Sequence, residues 1–446
     1  GQTLWQADYA PYGKRVGTRA ERTRPYDLAL RLPGQWADEE TGLYYNDFRY
    51  YDPQAGRYLS PDPLGRLAEA LGSPNAYAYV NNNPLSYIDP WGLILFAFDG
   101  TGNTDASRTN VYWLREAYDD NDPDNIAGGG TPYYIEGPGT GSILPTLDAG
   151  IAFTMRSRIN DQLDRLDLYV TKKVDDVLNV KNQAISSDNP LVITLDIMGF
   201  SRGSAAARDF ANTVVTRANS GHYRNLEGVN GACVQVNIRF MGLFDTVLSY
   251  AVGSFNMGIP EAVQYVSQAV AVNEHRRDFP LESIEPSYVD RGLSSNRTER
   301  GFVGAHSDIG GGYNCTSGAD GGCDGGDLSD VALNWMWDQT KAAGVNIKPL
   351  EEDQRTVSSP ILHNETRSTP FKIWGTGQDR EVRYPVAADA PSPLPKQRDA
   401  PIEGLIYSDS LTWITPDANP TGSREGVVDM SAYGAWLKAN YGITLQ

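Results

Sequence analysis

Between residues 94 and 310 short apolar runs alternate with amphipathic and glycine-rich stretches. Ile94-Leu95-Phe96-Ala97-Phe98, Leu191-Val192-Ile193-Thr194-Leu195-Asp196-Ile197-Met198 and the run from Val234 to Phe244 are of strand length and nearly uncharged. Such runs predict strands buried on both faces of a sheet. Each ends in turn material: Asp99-Gly100-Thr101-Gly102, Gly199 onwards, and Asp245-Thr246. Arg300 to Ala305 reads as a further strand. Apolar positions at helical spacing among Arg156, Arg158, Asp161, Asp164, Arg165 and Asp167 predict an amphipathic helix over 155–178. The alanines 205–207 predict a helix leaving the second run. Residues 127–142 read as a glycine-rich loop. Residues 262–272 read as a core helix, while 249–260 stay open between a plain loop and a lid with an apolar face for a membrane. Strands alternating with helices imply an α/β fold, with a central, mostly parallel sheet and helices on both faces.

The first 93 residues carry a different pattern. Aromatic and polar residues alternate in Tyr44-Tyr45-Asn46-Asp47-Phe48-Arg49-Tyr50-Tyr51, and Asp52-Pro53 and Gly56 follow. This predicts short β-strands joined by tight turns. The stretch holds 11 of the 25 tyrosines. At the other end, seven prolines within 385–420 predict an irregular cap over the sheet, at about 365–446. The expected division is therefore 1–93 and 94–446.

Composition narrows the function classes. A chain of 446 residues with 40% hydrophobic content buries a proper core. The net charge of −18 argues against a broad nucleic-acid surface and against electrostatic docking on anionic lipid. Only −2 of it falls in residues 1–93. With no run of 18 apolar residues, no transmembrane helix is expected. The N-terminus lacks the basic and apolar regions of a signal peptide, and a start at Gly1 reads as a piece of a longer polypeptide.

The chemistry concentrates at Gly199-Phe200-Ser201-Arg202-Gly203. A Gly-x-Ser-x-Gly pattern between an apolar strand and a helix reads as a nucleophile elbow, with an ordinary Gly-Ser turn as the other reading. The elbow exposes the Ser201 hydroxyl, lets Gly199 and Gly203 pass without clashes, and aims the Arg202 N–H at a developing oxyanion. Asp245 ends a strand, where open α/β sheets carry functional side chains; a helix cap or loop acid is the plain alternative. Of the four histidines, His222, His275, His306 and His363, only His306 follows a strand and precedes a flexible glycine loop. That suits a general base, and Ser201, Asp245, His306 follow the hydrolase order. Asp308 is the rival acid. Cys315 and Cys323 are close enough to bridge or to remain free thiols. Asp320, Asp324 and Asp327 leave calcium as a minor option, and otherwise no metal or cofactor is expected.

Two resemblances follow. "LPGQWADEETGLYYNDFRYYDPQAGRYLSPDPLG" and "NAYAYVNNNPLSYIDPWGL" resemble the end of the β-rich core of Rhs (YD-repeat) proteins, whose shell encloses a C-terminal toxin. The resemblance implies self-cleavage between Leu93 and Ile94, with Asp62 and Asp89 as the carboxylates, one acting as acid and the other as base. "FDGTGN", "GFSRGSAAARDFAN", "FMGLFDTV", "NEHRRDFP" and "GFVGAHSDIGGGY", in that order, resemble the type VI secretion lipase effectors of family one. That implies an α/β-hydrolase domain with Ser201 as nucleophile, His306 as base and Asp245 as orienting acid. Gly100 or Thr101 is then the second oxyanion donor.

The implied function is an antibacterial phospholipase A, released from an Rhs cage and secreted by a type VI system into a target cell. It would act at the periplasmic or inner-membrane face. The implied partners are membrane phospholipid, the upstream cage, a cognate immunity protein and a secretion spike or chaperone. An esterase for a soluble or cell-wall ester and a non-catalytic delivery or binding module are the alternatives.

Overall fold

In the computed structural model the described residues are 5–9, 14–20, 36–38, 40–46, 49–55, 57–59, 93–118, 134–140, 148–180, 184–248, 255–276, 278–287, 296–313, 325–367, 380–386, 413–417 and 423–445. The chain forms two compact units, Gly1–Trp91 with Asn182–Leu191, and Gly92–Lys181 with Val192–Gln446.

In the first unit, β1 (Trp5–Tyr9) pairs antiparallel with β2 (Arg15–Ala20). Strands β3 (Trp36–Ala37), β4 (Tyr44–Asn46), β5 (Arg49–Asp52) and β6 (Arg57–Tyr58) form an antiparallel meander. Its turns are built by carboxylates: Asp38 accepts from the Glu40 N–H and the Thr41 hydroxyl, and Asp52 accepts from the N–H groups of Gln54 and Ala55. Tyr44 and Tyr51 oppose each other across β4 and β5 and are buried, while Tyr50 faces out. The aromatic–polar alternation is thus a strand period of two.

The second unit carries β7 (Leu93–Phe98), α1 (Asn110–Ala117), β8 (Tyr134–Ile135), α2 (Asp148–Asp175), β9 (Leu191–Phe200), α3 (Arg202–Asn219), β10 (Val234–Phe244), β11 (Val263–Ala271), β12 (Leu281–Glu282) and β13 (Arg297–Phe302). There follow α4 (His306–Gly310), α5 (Ser329–Ala342), α6 (Glu352–Arg355), β14 (Ile361–His363), β15 (Val382–Arg383), β16 (Ile414–Pro416), β17 (Arg424–Val428) and α7 (Met430–Tyr441). Six strands make the central sheet in the order β13-β11-β10-β9-β7-β8. The pairs β13–β11, β11–β10, β9–β7 and β7–β8 are parallel. This is a mixed α/β architecture with a mostly parallel sheet flanked by helices.

Strand β7 shows why these runs lack alternation. Phe96 and Phe98 pack on Phe210 of α3, with ring centroids 4.8 and 5.4 Å apart. Leu95 and Ala97 point the other way, into a cluster with Val111 and Leu114 of α1 and Trp335 and Met336 of α5. Both faces are covered, so both sets of positions are apolar. Each of the leucine, phenylalanine, valine and methionine side chains among them, fully buried, contributes about 1.5–3 kcal/mol.

Two expectations are corrected. Residues 262–272 are not a core helix: Val263–Ala271 is strand β11, hydrogen-bonded on both sides, to β10 and to β13. Its apolar positions fit helical spacing only because a doubly covered strand has no period of its own. The C-terminal part is also more regular than an irregular cap. Strands β14, β17 and β16 form an antiparallel sheet, and α7 is capped by Asp429, which accepts from the N–H groups of Ser431 and Ala432. Tyr433 and Leu437 of α7 enter the same core cluster as Leu95. The amphipathic helix is longer than its expected span, running from Asp148 to Asp175 and on into a π-turn over Asp176–Val180.

Of the 249–260 stretch, residues 255–260 are described. The Asn256 and Gly258 carbonyls accept from the Asn212 amide, and Met257 and Ile259 are buried. Asp62, Asp89, Cys315, Cys323, Asp320 and Asp324 lie outside the described residues. Among the described residues no helix is long and apolar enough to cross a membrane, and no group of three or more His, Cys, Asp or Glu side chains could hold a metal ion. Asp327 accepts instead from the backbone N–H groups of Ser358 and Ser359.

Candidate active site

Strand β9 runs directly into Ser201, which adopts φ 59° and ψ −128° before α3 begins. A non-glycine residue held there costs about 1–3 kcal/mol, sustained by the surroundings. Two glycines make the turn feasible. A Cβ at Gly199 would sit 2.7 Å from the Ser204 Cα, and one at Gly203 would sit 2.2 Å from the Asp99 carbonyl oxygen. The Ser201 N–H donates to the Phe244 carbonyl at 3.0 Å. The residue before Asp245 is therefore tied to the residue at the elbow.

Asp245 follows β10 with φ 42° and is fully buried. Its Oδ2 accepts from His306 Nδ1 at 2.6 Å and from Arg380 Nη2 at 2.8 Å. Its Oδ1 accepts from the Ala271 N–H at 2.9 Å and from Arg380 Nη1 at 2.7 Å. Burial alone pushes the carboxyl pKa up, but the Arg380 guanidinium and His306 outweigh it and hold it well below the usual carboxylate range. Asp245 therefore stays ionised.

His306 starts α4 rather than sitting on a free loop. Its position is braced from three sides. The Gly304 N–H donates to Asn273 Oδ1, the Ala305 N–H to Asp308 Oδ2, and the His306 N–H to Glu274 Oε2. The imidazole lies between the rings of Phe200 and Phe279, with centroids 4.8 and 5.0 Å away. Burial lowers its pKa; the Asp245 bond works against that, and Arg276 adds to the lowering. A neutral ring that donates from Nδ1 to Asp245 presents a lone pair at Nε2. Nε2 is buried and has no hydrogen-bond partner among the described residues.

The Asp99–Thr101 turn ends β7. Asp99 accepts from the Gly100 N–H at 2.7 Å, the Thr109 hydroxyl at 2.9 Å and the Tyr134 hydroxyl at 2.6 Å. Burial pushes its carboxyl up to about 6. The bond to Asp99 engages the Gly100 N–H, so Gly100 is not a free oxyanion donor; a buried donor already paired has nothing to offer a transient anion. Nothing among the described residues accepts from the Thr101 N–H. Arg202 occupies the first position of α3, where a backbone N–H has no carbonyl in its own helix. Its Nη1 reaches the Thr101 hydroxyl at 3.2 Å, linking the two remaining donor positions.

The other sequence candidates sort by their partners. His222 pairs with Asp167 and His363 with Asp308. Asp308, the rival acid, thus engages His363, and the carboxylate on the His306 ring is that of Asp245. Leu93 and Ile94 both lie in β7, opposite Thr194 and Leu195. Arg380, Glu274 and Asn273 escaped the sequence reading as site residues. Glu274 and Asn273 had a signal, the "NEHRRDFP" motif, whose role is to hold the His306 turn. Arg380 had none.

Comparison with known proteins bears on both halves of the chain. Residues 213–339 match the family model of the type VI secretion phospholipase effector Tle1-like catalytic domain. The matched span holds Asp245 and His306. The double-stranded DNA deaminase toxin A of Burkholderia cenocepacia is 44% identical over 97 residues, 21% of this chain and 6% of that protein. The toxin protein Tse5 of Pseudomonas aeruginosa is 47% identical over 95 residues, 21% of this chain and 7% of its own. The chain therefore spans only a small fraction of the length of these relatives. A solved structure of the Tle1 effector bound to the VgrG spike is 20% identical, covering 60% of this chain and 76% of that one, with a TM-score of 0.40. The chain is thus similar to Rhs-type toxins over one stretch and to Tle1-like phospholipase effectors over another.

Proposed function

We propose that residues 94–446 are a secreted serine hydrolase that cleaves acyl esters of membrane glycerophospholipids. The observation that carries this reading is the buried Asp245–His306 bond of 2.6 Å, on a strand end tied by hydrogen bond to the strained Ser201 elbow. The family match over 213–339 supports a phospholipase. In the proposed reaction the Ser201 Oγ attacks the ester carbonyl carbon while His306 Nε2 takes its proton. The tetrahedral oxyanion is met by the Thr101 and Arg202 N–H groups. Collapse breaks the ester C–O bond, and His306 returns the proton to the departing lysophospholipid oxygen. Water, activated by the same nitrogen, then releases the fatty acid and restores Ser201. Asp245 keeps Nδ1 protonated and stabilises the imidazolium between steps. No step uses a metal, so chelation by EDTA is expected to leave the rate unchanged.

The reading extends to delivery. The Rhs-type relatives support an upstream cage, with self-cleavage at Leu93–Ile94 driven by Asp62 and Asp89. Cleavage there leaves Ile94–Phe98, the strand that carries the Asp99 turn, with the hydrolase. Delivery by a type VI spike into a target cell, action at its inner membrane and neutralisation by an immunity protein complete the proposal.

The test is fatty-acid release from phosphatidylethanolamine–phosphatidylglycerol liposomes, resolved by product mass. Wild type is expected to yield lysophospholipid and fatty acid, and Ser201→Ala neither. Equal release by Ser201→Ala sinks the serine mechanism. Turnover of water-soluble esters only would move the substrate to a soluble or cell-wall ester. For self-cleavage, intact mass should show a fragment beginning at Ile94 that disappears in Asp62→Asn or Asp89→Asn.

A further inference from the structure

Every hydrogen bond to the Asp245 carboxylate comes in pairs, and one residue supplies a member of each pair. Arg380 donates from Nη1 to Oδ1 at 2.7 Å and from Nη2 to Oδ2 at 2.8 Å. This is the two-pronged geometry that guanidinium offers and ammonium does not. The fork is itself held: Nε donates to the Phe279 carbonyl at 2.9 Å and Nη1 to the Ala271 carbonyl at 3.0 Å. Its side chain is only 10% exposed. Arg380 lies two residues before β15, whose Val382 is opposite Leu281 of β12, and the Glu381 carbonyl accepts from the Leu281 N–H. Phe279, which takes the Nε bond, also presses its ring edge-on to His306.

We propose that Arg380 is a positioning residue of the active site, holding both oxygens of Asp245 for His306 and balancing the Asp245 charge while the imidazole is neutral. The proposal rests on the Ser201–His306–Asp245 reading and deepens it. Its physical content is a trade between geometry and basicity. A buried carboxylate with no cation beside it pulls hard on a proton at His306. With Arg380 already on both oxygens, that pull is moderated, and the imidazolium formed in each half-reaction meets a carboxylate shared with a second cation. The other charged groups around His306 are Glu274, on its backbone N–H, Arg276, paired with Glu274, and Asp308, paired with His363. None of them touches Arg380 through a hydrogen bond, although the Arg380 charge also favours ionised Glu274; the direct link from Arg380 to the His306 ring is the carboxylate of Asp245, with Phe279 as a second, packing contact.

The experiment uses the full chain as wild type, Arg380→Gln, Arg380→Lys and Ser201→Ala, with p-nitrophenyl butyrate as the probe, across about pH 5 to 9. Arg380→Gln is expected to lower kcat by about 10- to 100-fold with KM within about twofold. It should also move the acid limb of kcat/KM upward by about one pH unit, because His306 now faces an unshared carboxylate. Guanidinium ion at millimolar concentration should restore part of kcat. Arg380→Lys should keep the limb near its wild-type position, since the charge remains, yet recover only part of kcat, since the fork is lost. A limb that stays put in Arg380→Gln, or a loss of rate that only tracks loss of folded protein, overturns the proposal. If Ser201→Ala is inactive while Arg380→Gln matches wild type, this inference alone fails. If Ser201→Ala keeps full activity, the triad reading fails and takes this one with it.

Discussion

Among the described residues the second unit contains two buried histidine–aspartate pairs of equal length, and their surroundings differ. His306 bonds Asp245 and His363 bonds Asp308, each at 2.6 Å through Nδ1. The difference lies in what surrounds them. His306 keeps Nε2 without a partner, has Phe200 and Phe279 at its ring, and shares its carboxylate with an arginine. His363 has its ring stacked under Tyr313 at 3.9 Å, and its own backbone N–H also donates to Asp308. Asp308 spends its other capacity on the Ala305 N–H, one residue before the base. In the first pair the carboxylate is shared with a guanidinium; in the second it is shared with two backbone N–H groups. A His–Asp bond is therefore no signature by itself. The unpartnered nitrogen and the adjacent elbow are what the proposed proton shuttle at His306 rests on.

That contrast can be broken or sharpened by substitution. The largest effect is expected at the ring proposed to react. His306→Gln should cut ester hydrolysis by about 10⁴-fold or more at unchanged fold, whereas His363→Gln should stay within about tenfold of wild type in kcat. Near-equal losses in kcat would erase the distinction. Next come the carboxylates: Asp245→Asn should cost about 10⁴-fold in kcat through the wrong imidazole tautomer, and Asp308→Asn far less. In stability the order reverses in part. His363→Gln leaves the buried Asp308 carboxylate short of a donor and should lower unfolding free energy by about 2–4 kcal/mol in urea titration. The smallest effect is on pH dependence. The base must be neutral, so activity is present above the His306 pKa and lost as pH falls through it. Burial holds that pKa below the ordinary value of 6.5. The acid limb should therefore fall below pH 6.5, and His363→Gln should reproduce it within about 0.3 pH unit; a displaced limb would mean that the limb does not report His306 alone.

What the sequence revealed depended on distance along the chain. The Ser201 elbow is legible because strand, turn and helix are contiguous, and the two glycines needed for close approach lie within two residues of it. Asp245 and His306 are legible because each follows a run of strand residues. Strand β11 was not, because Val263, Val266 and Val270 fit a helical face as readily as a strand covered on both sides; pairing with β10 and β13 decides it. Helix α7 was masked by the prolines upstream, although Asp429 before Met430 is a ready helix cap. Arg380 could not be read at all. Its partner lies 135 residues away, and no local pattern marks one arginine among many as the mate of a buried carboxylate.

Tyr433, on α7, accepts a hydrogen bond at its hydroxyl from the Val303 N–H, three residues before the base. Both groups are buried. A ribosome delivers Ser201, Asp245 and His306 long before it delivers Tyr433, and until then the strand that presents the base carries a donor with nothing to receive it. Completion of the His306 turn is therefore timed by the synthesis of α7. During synthesis the chain holds Ser201, Asp245 and His306 before the bond that steadies the His306 turn can form, and that bond waits until α7 has left the ribosome.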